Sequence, residues 1–515
     1  MDDRLTAAWS RLPDYLSQHV ILSACALLLG LAISLPLAIT AQRNAVIRWP
    51  VLTVASVIQT IPSLALLALF YPLLLALSAA TSGFGLQFSA LGFLPSLLAL
   101  TLYSMLPIIR NTVAGLSGVD ADVLEAARGV GMTPNQRLAQ VELPLAAPVI
   151  MAGVRTAAVW TIGTATLSTP VGQTSLGNYI FTGLQTENWV FVLFGCGAAA
   201  TLALIVDQLL GLIESGVAQR NRRRVLIGVA ALAVGVAAAI APSFVSARAT
   251  YSIGAKGFTE QYILAYLVRD ELEEHGLVGR RRAGLGSGVV FRALAASEID
   301  VYVDYSGTIW STQMGRTDQP GREQILSEMT TWLHEEHGIV ALGSLGFENA
   351  YALAMRRARA EELGVRSISD LVRVAPQLRI GGDFEFFGRP EWAALSDAYR
   401  LRFANQREYQ STFMYRAVAD GAVDVISAFS SDGRIAALDL VILEDDRGAI
   451  PPYDAVLLVS PARANDETFL AALRPLVNAI PVEAMREASL LVDREENKRS
   501  VREAARFLAE ETGLD

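Results

Sequence analysis

Few residues in this chain have the types and spacing needed to react, and the pattern favours holding and docking over bond-making. There are two lysines, Lys256 and Lys498, and neither lies in a Gly-x-x-x-x-Gly-Lys-Ser/Thr loop that could cradle nucleotide phosphates. If ATP drives this molecule, another polypeptide binds it. His275, His334 and His337 fall in charged helical stretches, where they read as solvated, and lack metal-ligand spacing. No nucleophile–base pair can be read, so no catalytic residue, metal or cofactor is expected. The most patterned polar stretch is Asp120 to Pro144, DADVLEAARGVGMTPNQRLAQVELP. Asp120 can cap a helix carrying Glu125, Ala126 and Ala127, which Gly131 ends. Thr133 as N-cap, Pro134 in the first helical position and Gln136 reaching back to the cap start the next helix. This helix–turn–helix is too charged for hydrocarbon, so it is expected outside the membrane.

The elements around it set its place. Apolar stretches long enough to cross roughly 30 Å of hydrocarbon lie near His19–Ala41, Val51–Ser78, Leu91–Pro107, Leu145–Thr169, Trp189–Ile213 and Val225–Val245. The first is too long for a cleavable signal peptide and others come directly after it, so delivery is by membrane insertion. Arg43 and Arg48 come after the first span, Arg110, Arg128 and Arg137 after the third, and Arg220, Arg222, Arg223 and Arg224 after the fifth. Those alternate loops are therefore expected in the cytoplasm, and the region beyond the sixth span on the opposite side. Inside the fourth span Arg155 is costly unless paired, and Asp207 and Glu214 are its candidate partners. Prolines such as Pro62, Pro72 and Pro148 remove backbone donors that neighbours must compensate.

From Thr250 onward charges become dense and the sequence reads as a soluble protein. Tyr251–Lys256 reads as a strand and Thr259 as the cap of a helix running to Gly276, and strands go on alternating with helices, which predicts a mostly parallel sheet. Leu345–Met355 and Asp454–Ser460 read as strands that leave one lobe and return to it, which places a ligand cleft at a hinge. The net charge of −9 and the absence of a basic patch argue against nucleic acid. Cys25 and Cys196 sit in apolar spans, so no disulfide framework is implied.

Two resemblances cover the chain. Glu125-Ala126-Ala127, Gly131, Val141 and Leu143-Pro144 stand in the order and spacing of the coupling motif of ABC-importer permeases, with Val for the more usual Ile. In that family the loop docks into a separate ATPase subunit, which implies ATPase-coupling roles for Glu125, Ala126, Ala127, Gly131, Leu143 and Pro144. Gly172–Ile180 is similar to an outward loop of the same permeases. KGFTEQYILA, SEIDVYVDYSGTIW, FENAYALAM and the SDGRI of Ser431–Ile435 resemble the solute-binding proteins of the glycine betaine/carnitine/choline (osmoprotectant) family. The fold implied is an all-α polytopic membrane domain of about six spans, like type I importer permeases, followed by an α/β two-lobed domain of the type II periplasmic-binding class. The expected division is an amphipathic lead-in at 1–18, the permease at 19–218 with coupling loop 120–144, the sixth span and linker at 219–249, and the binding domain at 250–515. Lobe I would take 250–350 and 456–515, and lobe II 351–455.

The function implied is ATP-driven import of a quaternary amine or betaine, such as glycine betaine, choline or carnitine. A quaternary ammonium has no donor hydrogens, so aromatic faces must hold it. The resemblance places Tyr305, Tyr351, Tyr409 or Tyr415, and Phe429 around it, with Ser287 giving polar contacts and Arg389 free to meet a carboxylate. It also implies a homodimer of the permease half in the lipid of the inner membrane, with the binding domain on the periplasmic or extracellular face. The alternative is a ligand-binding membrane receptor or ligand-gated channel; a sensor would need a cytoplasmic output domain, and none can be read in the sequence.

Overall fold

The computed structural model describes residues 3–81, 91–186, 188–245, 250–383, 385–494 and 496–514, and the chain divides into two compact units. Part of the expected linker, 246–249, and the first two residues of the lead-in lie outside the described residues. The first unit is helical: α1 (Asp3–Arg43), α2 (Ala45–Thr60), α3 (Ser63–Thr81), α4 (Phe93–Ser117), α5 (Ala121–Gly129), α6 (Pro134–Arg137), α7 (Leu143–Ala165), α8 (Gly177–Gln185), α9 (Trp189–Ala218) and α10 (Arg222–Val245), of which residues 182–185 and Trp189 group with the second unit. Among the described residues five helices are long and apolar enough to cross a membrane, or six if one bent pair counts as a span.

The lead-in and the first span form one helix, α1, because Pro13 falls in it without breaking it. The second span is not the single helix expected over Val51–Ser78. It is broken into α2 and α3, which meet at 102°. The cause is Pro62: the residue before a proline avoids the helical region, and Ile61 accordingly sits at φ −70°, ψ 128°. The segment after α7 tightens into a 3₁₀ turn, Thr166–Val171, and Gly172 reverses it at φ +85°. The chain then re-enters helix at Gly177, where a Cβ would stand 1.9 Å from the Thr166 carbonyl oxygen. Only glycine fits there.

The second unit holds two five-stranded sheets. The strands are β1 (Thr250–Lys256), β2 (Val278–Leu285), β3 (Val301–Tyr305), β4 (Val340–Glu348), β5 (Tyr351–Arg356), β6 (Arg379–Asp383), β7 (Asn405–Tyr409), β8 (Val425–Phe429), β9 (Leu440–Ile442) and β10 (Asp454–Val459). The first sheet runs β2-β1-β3-β10-β4 and the second β7-β6-β8-β5-β9. Neither is mostly parallel, contrary to the sequence expectation. β1 pairs parallel with β2 and β3, but β10 runs antiparallel to both β3 and β4. The second sheet is mixed in the same way, with β5 antiparallel to β8 and β9. The chain crosses between lobes instead of closing every unit with a helix, so the crossing strands enter against the grain. β10 is buried along its whole length, which explains the apolar run at 455–459 that follows Asp454.

Leu345–Met355 is likewise two strands, β4 in the first sheet and β5 in the second. They are parted at Asn349–Ala350, where the backbone turns to other partners: the Asn349 N–H donates to the Tyr453 carbonyl at 3.0 Å and the Ala350 N–H to Ser430 Oγ at 2.9 Å. The two crossings between lobes are thereby tied to each other. The helix after β1, α11 (Thr259–Glu274), is capped at Phe258 and not by Thr259. Thr259 instead donates its hydroxyl to Asp493 at 2.7 Å, a partner 234 residues away. His337, expected in solvent, packs edge-on against Trp332 and Phe291, and burial lowers its pKa.

Candidate functional site

The polar stretch of the first unit folds as its local residues direct. The Asp120 carboxylate accepts from the Asp122 N–H at 2.8 Å and starts α5. Gly131 sits at φ +81°, in the left-handed region. At α6 the full capping box forms: Thr133 Oγ1 accepts from the Gln136 N–H, Gln136 Oε1 accepts from the Thr133 N–H, and Pro134 takes the first turn. One π turn, Leu138–Glu142, then leads into α7 at Leu143-Pro144. Arg137 pairs with the buried Glu142 at 2.6 Å and fixes the elbow. Ala127 faces inward, whereas Glu125, Ala126, Gly131 and Pro144 are exposed and Leu143 is half-buried. Val130 at the bend is 76% exposed. The braced elbow thus presents an exposed apolar tip beside an acidic helix face.

In the second unit a chain of rings spans the junction of the two lobes. Tyr351 opens β5 and pairs directly across from Phe429 at the end of β8, with ring centroids 5.1 Å apart. Phe429 stacks at 5.8 Å and 4° on Phe258, which comes from the first lobe at the turn between β1 and α11. Phe258 in turn lies 6.2 Å from Tyr305, the last residue of β3. Tyr453, just ahead of β10, stands edge-on to Tyr351 at 6.2 Å, and Phe386 lies 5.2 Å from it.

A polar group flanks the rings. The Arg389 guanidinium lies 5.4 Å from the Tyr351 ring centroid. It donates to Glu385 at 2.5 Å and, more weakly, to Ser287 Oγ at 3.4 Å. Ser287, the first residue of α12 (Ser287–Ala295), donates to Glu385 at 3.3 Å across the lobes. Glu391 stands 3.8 Å from Arg389 and accepts the Tyr453 hydroxyl. Among the described residues Arg389 Nε and Nη1, Glu391 Oε2 and Asp383 Oδ2 are buried without a hydrogen-bond partner. Burial pushes the Asp383 carboxyl up. Burial also acts to raise Glu385, but the charge and hydrogen bond of Arg389 outweigh it and hold Glu385 below the usual range.

Behind the rings, Glu260 joins three parts of the unit. Its carboxylate accepts from the Tyr305 hydroxyl at 2.5 Å, from Asn349 Nδ2 at 3.1 Å, and from Ser431 Oγ in the second lobe. Burial outweighs these donors and pushes its pKa to about 7. Lys256 pairs with the buried Asp304 at 2.5 Å, so its charge is already answered.

Of the residues singled out from sequence, Ser287, Tyr305, Tyr351, Arg389 and Phe429 thus come together. Tyr409 and Tyr415 do not join the rings. Tyr409 ends β7 at a sheet edge and packs on Gly381, while Tyr415 is buried beneath β8 with Arg434 over its ring and accepts the Phe429 N–H at 2.9 Å. Phe258, Phe386, Tyr453, Glu260 and Asn349 were missed as site residues. A large aromatic at a helix N-cap, where a short polar residue is the rule, was the signal available for Phe258.

Comparison with known proteins matches these two halves separately. Residues 30–219 match the binding-protein-dependent transport system inner membrane component family, and residues 249–510 the substrate binding domain of ABC-type glycine betaine transport systems. The ergothioneine transport permease/ergothioneine binding protein EgtU of Helicobacter pylori (strain G27) is 30% identical over 425 residues, covering 79% of this chain and 74% of its own. The choline transport system permease protein OpuBB of Bacillus subtilis (strain 168) is 39% identical over 197 residues, 38% of this chain and 84% of its own. A crystal structure of a glycine betaine/carnitine/choline ABC transporter aligns at TM-score 0.44 and 22% identity over 51% of this chain and 98% of that one. The protein is therefore an ABC importer component, a multi-pass inner-membrane permease with its substrate-binding domain on the same chain. It belongs to the family of substrate-binding domains of ABC-type glycine betaine transport systems, joined here to the inner membrane component. It is a transport component and not an enzyme; ATP hydrolysis belongs to a separate subunit.

Proposed function

We propose that this chain imports a short solute carrying a quaternary ammonium, of the glycine betaine, choline, carnitine or ergothioneine kind. The observation that carries the reading is the spacing of the Arg389 guanidinium 5.4 Å from the Tyr351 ring, with two of its nitrogens buried and without a hydrogen-bond partner. A methylated ammonium is attracted to the faces of Tyr351, Phe429, Phe258 and Tyr305 through their quadrupoles, at about 0.5–2 kcal/mol per ring once water is excluded. A carboxylate a few ångström away then finds the spare N–H groups of Arg389, beside Ser287. Phe258 belongs to one lobe and Phe429 to the other, so a solute that touches both rings at their exposed side favours the closed arrangement.

The binding domain, 250–515, faces the periplasm or exterior on this reading, because the arginines after the first, third and fifth spans hold those loops in the cytoplasm. Two copies of the permease half form the pore in the lipid. The segment 120–144 docks on the ATPase through Glu125, Ala126, Gly131 and the exposed Val130, with Leu143-Pro144 passing the movement to α7. The test is the chain reconstituted with its ATPase in proteoliposomes. Choline, glycine betaine, carnitine and ergothioneine are screened by thermal shift, then by uptake. At least one is expected to bind, and Glu125→Arg is expected to keep that binding while uptake drops to background. Binding of none, or unchanged uptake in Glu125→Arg, overturns the respective half of the proposal.

A further inference from the structure

Arg155 stands twelve positions into α7, and by the rise of a helix about 18 Å from its start at Leu143. Asp207 lies about as far from the end of α9. Both are well inside the stretches long enough to span a membrane. The Arg155 guanidinium grips Asp207 with two bonds, Nε to Oδ1 at 2.5 Å and Nη2 to Oδ2 at 2.7 Å, and Nη1 reaches Glu214 at 3.4 Å. Gln208 also donates to Asp207 at 3.3 Å. Between the two acids on α9 lies Gly211, at which a Cβ would stand 3.3 Å from Arg155 Cζ. Asp207, Gly211 and Glu214 are spaced at i, i+4 and i+7, so they form one stripe on the helix. Two acceptors and a gap between them make a cradle for one guanidinium.

Stability alone does not call for such a cradle. The same two helices already meet through Ala158, Leu210 and Ile213, with Met151, Val206 and Val217 around them. Replacing an ion cluster by apolar side chains of similar volume is often neutral or stabilising. A bidentate guanidinium pair differs from apolar packing in one respect: it fixes distance and orientation and does not slide. α7 is also the helix into which the coupling segment runs, since the helical path from Pro134 to Val171 is one candidate span.

Resting on the coupling role proposed for 120–144, we infer that Arg155 is a positioning residue that locks α9 to α7, so that a displacement entering at that segment moves both helices as one body. The test uses the full chain with its ATPase in nanodiscs, Cys25 and Cys196 replaced by Ser, and spin labels at Trp160 on α7 and Leu204 on α9, both exposed. Interspin distances are read nucleotide-free and after ATP–vanadate trapping. One labelled copy is paired with an unlabelled copy in each particle, so that only the distance within a chain is read; the parent protein is then expected to give one narrow distribution that is the same in both states. In the triple variant Arg155→Met, Asp207→Leu, Glu214→Leu the distribution is expected to shift by several ångström between states. Gly211→Leu keeps every charge but fills the cradle, and is expected to loosen the pair in the same way; it decides the matter should the triple variant not assemble. The swap Arg155→Asp, Asp207→Arg is expected to restore the single distance. A parent distance that changes between states, or variants that track the parent in both, overturns the inference.

Discussion

The buried carboxyl of Glu260 makes folding of the binding unit depend on pH in a definite direction. Its folded-state pKa is about 7 against an ordinary 4.5, because burial outweighs the hydrogen bonds from Ser431, Tyr305 and Asn349. The folded state thus holds the proton more tightly than the unfolded one. The stability this gives is fully present below about pH 4.5 and is lost as pH rises through about 7. The gap between 4.5 and about 7 corresponds to at most about 3 kcal/mol. Glu271 is also raised to about 7, by burial and by Glu274, and acts in the same sense. His337, lowered by burial, acts in the opposite sense at acid pH. The comparison that isolates Glu260 is therefore wild type against Glu260→Gln, in which those contributions cancel. The amide imitates the protonated acid: its oxygen accepts from Tyr305 and Asn349 and its NH₂ faces Ser431 Oγ. In calorimetry of the full chain in nanodiscs, tracking the transition of the binding unit, the variant is expected to match wild type near pH 4. Near pH 8 it is expected to be the more stable, by up to about 3 kcal/mol. A variant less stable than wild type near pH 8, or a difference that does not change with pH, refutes the reasoning.

Side-chain placement sets three further outcomes. Phe429→Ala removes a ring that packs against both Tyr351 and Phe258; at about 0.5–2 kcal/mol per ring, affinity for the solute that the screen identifies, read by titration calorimetry, is expected to fall about 2- to 30-fold. Tyr409→Ala at the sheet edge is expected to leave that affinity unchanged, and a comparable loss there would move the site. Gly177→Ala forces a methyl group against the Thr166 carbonyl; the helical unit is expected to lose about 1–3 kcal/mol, read as a lower melting temperature in detergent.

The elbow at 120–144 was legible because every instruction in it is local. Asp120, Gly131, Thr133 and Gln136 act on backbone within three residues of themselves, so their spacing alone specified both helices and the break between them. The membrane spans were legible from length and apolarity, except where Pro62 forced a bend that a hydropathy count ignores. Arg155 announced that it needed a partner, and Asp207 and Glu214 were the acids in reach. Only the packed structure showed Gly211 clearing the space between them.

The binding site divides the same way. The family resemblance singled out Tyr305 and Tyr351, although the strand read over Leu345–Met355 ran through Tyr351, where the structure starts β5. It could not say which rings meet. Phe258 and Phe429 are brought together by the approach of two lobes, and Glu260 collects donors 45, 89 and 171 residues away. Strand direction was decided in the same manner: β10 reads as a strand from its own residues, but it runs antiparallel because the chain returns to the first sheet from another lobe. Backbone preferences act over a few residues and can be read along the chain, whereas packing and charge pairing act through space and are fixed only when the chain closes on itself.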